Sequence, residues 1–146
     1  MIALIQRVSE AQVRVREELV GAIERGVLAL IGVQRADTTV SAERLLERIL
    51  SYRVFPDTEG RMNESLRSVG GGLLLVPQFT LAADTHKGTR AGFSSAAEPA
   101  EAQGLFAHLL AQARNGYAPV SAGVFGAHMQ VSLVNDGPVT FLLTTR

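Results

Sequence analysis

The sequence predicts a single α+β domain covering residues 1–146, a mixed and curled β-sheet carrying two main helices. Three observations support this. Residues 2–33 consist of short apolar runs punctuated by Gly21, Gly26 and Gly32, as strands and their turns require. Residues 38–52 and the stretch after Pro99 switch to helical spacing. Residues 130–144 then return to strand-like runs. No internal repeat or linker divides the chain, and 146 residues suit one domain that buries roughly 68–70% of its unfolded surface.

Taken in order, Ile2, Leu4, Val8, Val13 and Val15 give a broken alternation, with further strands at 19–23 and 27–33. Glu17-Glu18 reads as a solvated hairpin tip. The unbroken run Val27-Leu28-Ala29-Leu30-Ile31 suggests a strand covered on both faces. In 38–52, Val40, Leu45, Leu46, Ile49 and Leu50 fall at helical spacing, with Asp37, Thr38 or Thr39 available as N-cap. Arg53, Val54 and Phe55 resume a strand, and Pro56-Asp57-Thr58-Glu59-Gly60 reads as a turn. Gly70-Gly71-Gly72 breaks the chain before a strand at 73–76. Pro99 suits a first helical position. Behind it Ala102, Leu105, Phe106, Leu109, Leu110 and Ala113 form an apolar face, weakened by Gly104 and ended by Asn115-Gly116. Residues 130–135 and 139–144 read as an antiparallel pair.

Composition narrows the function classes. Nearly half the residues are apolar and about a fifth charged, so a packed core is available. Cysteine is absent, which removes disulfides, thiolate catalysis and Cys-ligated zinc, and suits a reducing compartment. Residues 1–7 lack a basic n-region and no window reaches the apolar length of a membrane span. The chain is therefore expected to be soluble and cytoplasmic, with no membrane partner. Net charge is zero, which argues against a sequence-tolerant coat on nucleic acid. Any RNA partner must be gripped by a few basic residues and by shape.

Two segments follow apolar runs and stand at strand ends, where a scaffold delivers backbone groups to a ligand. The first is Pro77-Gln78-Phe79-Thr80-Leu81, the second Asn135-Asp136-Gly137-Pro138-Val139-Thr140. Gly137 permits close backbone approach, and Pro138 adds a fixed φ and no N–H donor. Two readings stay open for the second: a β-hairpin turning at Asp136-Gly137, or a loop that faces a ligand. Residues 82–98 have no period, yet carry Asp84, His86, Lys87, Arg90 and Phe93. Disorder is one reading. The mixture of basic residues and an aromatic beside a strand end favours a binding loop.

Familiar catalytic signatures are missing: no Gly-x-Ser-x-Gly elbow, P-loop, dinucleotide fingerprint or His-Glu-x-x-His pair occurs. His86, His108 and His128 sit in unrelated settings, His108 on a helix surface and His128 as a structural hydrogen-bonder before a strand. Neither a metal site nor a cofactor is expected. Thr80 is the one suggestively placed hydroxyl; strand alternation would put it on one face with Gln78, and Phe79 on the other. An ordinary strand threonine is the competing reading. A site here lacks a strong side-chain base, and would rest on backbone donors, positioning and a group from the substrate.

The opening Met1-Ile2-Ala3-Leu4-Ile5-Gln6-Arg7-Val8, the run Gln78-Phe79-Thr80-Leu81-Ala82-Ala83-Asp84-Thr85, and the stretch from Met129 through Asn135-Asp136-Gly137-Pro138-Val139-Thr140 to Phe141 resemble D-aminoacyl-tRNA deacylase. The resemblance spans essentially the whole chain. It implies a homodimer in which Gly137-Pro138, with a cis bond, projects into the partner's active site. There its carbonyls reject an L-side chain by clash, while a D-aminoacyl or glycyl ester fits. It implies aminoacyl-tRNA as substrate, cut at the ester to the terminal adenosine without a cofactor. Gln78, Phe79 and Thr80 would carry the catalytic segment, backbone N–H groups near Phe79 and Thr80 forming the oxyanion hole, and the neighbouring ribose hydroxyl assisting. Phe125 matches a position that contacts the adenine, Met129 one that lines the pocket, and Arg7 one that braces the Gly-Pro loop.

Three departures accompany the resemblance. Pro77 replaces a usual serine on the pocket floor, removing a hydroxyl and a backbone donor; proline there also resembles a related animal deacylase acting on L-alanyl-tRNA. Ala91-Gly92 replaces a common Pro-Ser, and Leu142 stands where an aromatic is frequent. The alternatives to a D-selective hydrolase are a deacylase of altered, L-alanyl selectivity, a non-catalytic nucleic-acid-binding dimer, and a metabolite-binding module reusing the fold.

Overall fold

The computed structural model describes residues 1–145. Its organising element is β1 (Ile2–Val15), a strand of 14 residues. β3 (Gly26–Gly32) pairs antiparallel with the first half of β1, and β2 (Glu18–Ile23) with the second. β8 (Gln130–Thr144) runs antiparallel along nearly the whole of β1, from Ile2↔Thr144 to Arg14↔Gln130. β6 (Gly72–Pro77) adds parallel to β3, and β7 (Val120–Ala122) parallel to β6. β7 returns to β2, where the Ser121 Oγ donates to the Ala22 carbonyl at 3.0 Å. The sheet is thus mixed and nearly closed on itself. β4 (Arg53–Pro56) and β5 (Met62–Ser65) form a separate two-stranded ribbon around the expected turn.

Local chemistry explains most boundaries. The β1–β2 hairpin turns at Arg16 and Glu17, both at positive φ (49° and 69°), the twist that two-residue hairpin loops need; the tip falls one residue before the expected Glu17-Glu18. Helix α1 (Thr39–Ser51) buries Ala42, Leu45, Leu46, Ile49 and Leu50, whereas Val40 lies outside that stripe, half-exposed. Of three candidate caps the structure uses Thr38, whose N–H donates to Ser41 Oγ at 3.0 Å. Asp37 is otherwise engaged, accepting from the Met1 amino group at 2.8 Å and the Gln34 N–H at 2.7 Å. A single-turn α2 (Leu66–Val69), unforeseen in the sequence, is capped by Ser65 and ended by Gly70 in the left-handed region. α3 (Pro99–Gly116) buries Ala102, Phe106, Leu109 and Ala113, with Leu105 and Leu110 at its margin.

The C-terminal expectation needs correction. Residues 130–135 and 139–144 do not pair with each other; both pair with β1 as parts of one strand. Gln6 faces Thr140 and Val8 faces Asn135, so β8 takes five residue steps where β1 takes two. The surplus, Asp136-Gly137-Pro138, is extruded as a tip rather than forming a hairpin turn.

Two cores lie on opposite faces of the sheet. Val27, Ala29, Ile31, Leu73 and Leu75 pack against α1 and α3. Leu28, Leu74 and Val76 point the other way, to Val8, Val13 and Ile23 inside the curl. The unbroken apolar runs of β3 and β6 follow from this double coverage. The two strands begin in contact without side chains: a Cβ at Gly26 would fall on the Gly72 carbonyl oxygen. Gly26→Ala is therefore expected to lower stability by about 1–3 kcal/mol through overpacking. A fall in the urea midpoint checks it, and an unchanged midpoint would refute it.

Candidate active site

β6 ends at Pro77, and the Gln78 N–H makes a last bond to β3, reaching the Ile31 carbonyl at 2.7 Å. The chain then folds into one 3-10 turn, Phe79–Ala82, instead of extending the strand. Alternation along a strand is therefore not what unites Gln78 and Thr80. The turn does so, and the Gln78 Nε2 donates to Thr80 Oγ1 at 2.5 Å. The Leu81 and Ala83 N–H groups close onto the Gln78 and Thr80 carbonyls. The first two N–H groups of the turn, on Phe79 and Thr80, have no turn carbonyl to bond, as at any helix start.

Pro77, Gln78 and Phe79 form one side of a cavity of about 440 Å³, of a size for a small-molecule or nucleoside ligand. Phe125, His128 and Met129 stand on another side, and Pro99 and Ala102 close the space from α3. Met129 is folded in place by the Val124 N–H, which donates to its Sδ at 3.3 Å. That position needs Gly123, since a Cβ there would sit 2.7 Å from the sulfur. The Phe125 ring packs on Phe106, with centroids 6.5 Å apart. Five of the residues singled out in the sequence thus meet at one cavity: Pro77, Gln78, Phe79, Phe125 and Met129. Thr80 joins them through Gln78.

His128 was expected to be a structural hydrogen-bonder; instead it is exposed and lines the cavity. His108 does lie on a helix surface, midway along α3 and half-buried, its Nε2 3.0 Å from Glu43 Oε1. Among the described residues no cluster of His, Cys, Asp and Glu could hold a metal ion.

Arg7, Gly137 and Pro138 form a second constellation and do not line the cavity. The Gly137-Pro138 bond is cis and Gly137 has φ 150°. Arg7 stands opposite the extruded tip: its Nε donates to the Asp136 carbonyl at 2.7 Å and its Nη1 to the Val54 carbonyl at 2.7 Å. Asp136 Oδ2 lies 3.9 Å from the Arg7 Nε, but that carboxylate is largely exposed, so the backbone bond carries the attachment. Asn135 clasps the neck of the tip, accepting from the Val139 N–H at 2.7 Å and donating to Thr140 Oγ1 at 2.9 Å. Sequence reasoning missed this clasp. Its signal was an asparagine just ahead of Asp-Gly-Pro, a residue able to bond nearby backbone.

The aperiodic stretch 82–98 is ordered by its own backbone. Asp84 and Gly92 exchange two hydrogen bonds, of 2.7 and 2.9 Å, and the Ser95 Oγ donates to the Ala82 carbonyl at 2.6 Å. Phe93 leans on Phe79, with centroids 5.3 Å apart. The His86 backbone N–H, and then its ring, hold the Asp84 carboxyl below the ordinary aspartate range. A depressed carboxylate stabilises the turn at pH above its unfolded value and loses that effect as pH falls through the folded one. An NMR titration should place the Asp84 midpoint below ~3.9. His86→Ala should move it only part of the way back, because the backbone bond remains.

The family model described as D-Tyr-tRNA(Tyr) deacylase matches residues 4–144. A D-aminoacyl-tRNA deacylase of Thioalkalivibrio sulfidiphilus is 68% identical over 98% of this chain and 96% of its own length. One from Alkalilimnicola ehrlichii is 64% identical over 100% and 97%. Among solved structures, a c-Myc DNA unwinding element binding protein superposes with TM-score 0.95 at 38% identity, covering 100% of this chain and 99% of that one. A probable eukaryotic D-amino acid tRNA deacylase gives TM-score 0.77 at 17% identity, with 97% of both chains covered, a likeness of fold. With the family model matching nearly end to end and relatives above 60% identity along the same length, this chain belongs to the D-Tyr-tRNA(Tyr) deacylase family.

Proposed function

We propose that the protein hydrolyses the ester of D-aminoacyl-tRNA, releasing the free amino acid and tRNA. The observation that carries the reading is a nucleoside-sized cavity lined by Gln78 and Phe79 at the start of the 3-10 turn, whose first N–H groups have no carbonyl of the turn to bond. The terminal adenosine occupies the cavity, its base against Phe125, with Met129 along the wall. The aminoacyl carbonyl lies over the turn at Gln78, Phe79 and Thr80. Water adds to the carbonyl carbon, and the oxygen that becomes negative is met by the two N–H groups. The C–O bond to the ribose then breaks, and the proton passes to the departing ribose oxygen with help from the neighbouring hydroxyl. No side-chain nucleophile is needed.

Selection against L-esters is assigned to the tip of a second copy. The reading needs a homodimer, because Gly137 and Pro138 do not line the cavity of their own chain. β8 supports pairing: its outer edge has no partner strand among the described residues, and Val134 and Leu142 are half-exposed along it. Carbonyls at the tip leave room for hydrogen on the α-carbon, so D-aminoacyl and glycyl esters enter and L-side chains collide. Pro77, on the pocket floor, bears on substrate range, and L-alanyl-tRNA is the substrate that would reveal an altered selectivity.

The direct test is incubation with D-aminoacyl-, L-aminoacyl-, L-alanyl- and glycyl-tRNA while following ester loss. Preferential loss of the D- and glycyl esters is the expected result; preference for L-alanyl-tRNA would assign the altered selectivity instead. A second reading, nucleic-acid binding without catalysis, draws on the name of the 38%-identical neighbour. Retention of labelled DNA at physiological salt with no ester loss would establish it; the zero net charge weighs against it.

Two variants probe the chemistry. Thr80→Ala should keep activity within about tenfold of wild type, since the proposed donor is its backbone N–H; a loss like that of a nucleophile would reject the mechanism. Arg7→Ala removes the side-chain bond to the Asp136 carbonyl that ties the tip, and the bond to Val54 that anchors the arginine itself. It should raise the ratio of L- to D-ester cleavage about tenfold, equivalent to ~1.4 kcal/mol of lost discrimination. An unchanged ratio in an intact, active dimer would place chiral selection elsewhere.

A further inference from the structure

We propose that Phe79 and Phe93 form a stacking platform for the nucleotide that precedes the terminal adenosine, with Lys87 and Arg90 supplying positive charge to its backbone. The proposal rests on the ester-hydrolase reading of the cavity and extends it along the RNA strand. Phe79 is 60% exposed and Phe93 44%, although both are large apolar rings. Their centroids lie 5.3 Å apart with the planes tilted by 39°, so the two rings make a continuous apolar surface in contact with solvent. Phe79 lines the cavity and Phe93 does not. The pair therefore leads outward from the cavity rim, where the next nucleotide of a bound strand must pass.

The platform is held before any ligand arrives. Phe93 follows Gly92, whose two bonds with Asp84 pin the neck of the loop, and its carbonyl accepts from the Ala96 N–H at 3.1 Å. Lys87 and Arg90 lie in the tip between Asp84 and Gly92, both exposed. Neither makes an ion pair among the described residues, and the nearby Asp84 carboxylate is turned to His86. Exposed aromatics beside unengaged cations are the components of single-strand recognition: bases of any sequence stack on the rings while cations meet phosphate. In a chain of zero net charge, this places the RNA contact locally.

The test compares two minimal substrates, D-aminoacyl-adenosine and a D-aminoacylated cytidylyl-adenosine dinucleotide. Wild type should show higher kcat/KM on the dinucleotide. Phe93→Ala should cut that advantage about tenfold, and Phe93→Tyr should restore it. Lys87→Ala with Arg90→Ala should lower the advantage and flatten its salt dependence. Calorimetric binding of the unacylated dinucleotide against adenosine reads the platform even without turnover. Equal binding of the two overturns the proposal. So does an equal loss on both substrates in Phe93→Ala, or a change in its oligomeric state, which would assign the rings to the turn or to an interface between copies. If wild type cleaves no D-ester, the hydrolase reading fails. If it cleaves D-esters without a dinucleotide advantage, only the platform does.

Discussion

The constraint on which the rest depends is the mismatch of length between β1 and β8. The two strands pair on both sides of Arg7, but β8 brings three more residues to that interval than β1 can match. Those residues cannot enter the ladder, so they leave the sheet as a tip. The same mismatch leaves Arg7 without a cross-strand neighbour on β8 and directs its guanidinium to the Asp136 and Val54 carbonyls. A bulge of one residue bends a strand; one of three makes a projecting element. Asn135 keeps the neck of that element narrow by standing in for the missing ladder bonds.

The cavity arises from the curl of the same sheet. Inside the curl, Leu74 and Val76 of β6 face Met129, Val131 and Leu133, and this packing is completed only partway along the strand. Where β6 ends at Pro77 the interior opens, and Val76, Met129 and Val131 become cavity wall as well as core. A proline closes the strand cheaply there, because the next ladder donor is the Gln78 N–H. The floor of the cavity is thus rigid backbone held by β3 on one side and by a short turn on the other. That arrangement suits chemistry done by fixed dipoles, which need no reorganisation as charge develops.

A neutral chain can meet an anionic polymer only through local groups of cations. Several basic residues are engaged: Arg67 with Glu47, Arg7 with the tip, Arg48 with the Thr144 carbonyl. Lys87 and Arg90, in the loop after the 3-10 turn, make no ion pair among the described residues and lie beside the exposed Phe93. Position rather than total charge then decides where a phosphate can be met, since exposed pairs contribute little and are screened beyond about 8 Å in physiological salt.

Much of this was legible in the sequence. The α1 and α3 faces at Leu45, Ile49, Phe106 and Leu109 follow from a period of 3.6, and the doubly covered β3 from its unbroken apolar run, because burial on a regular element imposes a local pattern. The long motif around Gln78 likewise marked residues that line the cavity, and the one around Gly137 marked the extruded tip. What the sequence left open were choices among local conformations of similar energy. Asp136-Gly137 is as good a hairpin turn as it is a bulge tip, and only the pairing of both flanks with β1 excluded the hairpin. Residues 77–82 can extend or turn, and the Leu81 and Ala83 N–H bonds to the Gln78 and Thr80 carbonyls hold the turn. β7 is three residues long and α2 four, too short for any period to show. His128 reads as a strand-flanking histidine until the curl brings it to the cavity. Periodicity records what each element buries, whereas register, extrusion and the meeting of distant loops depend on contacts between residues far apart in the chain, such as Gln78 with Ile31 or Arg7 with Asp136, which leave no mark on either segment alone.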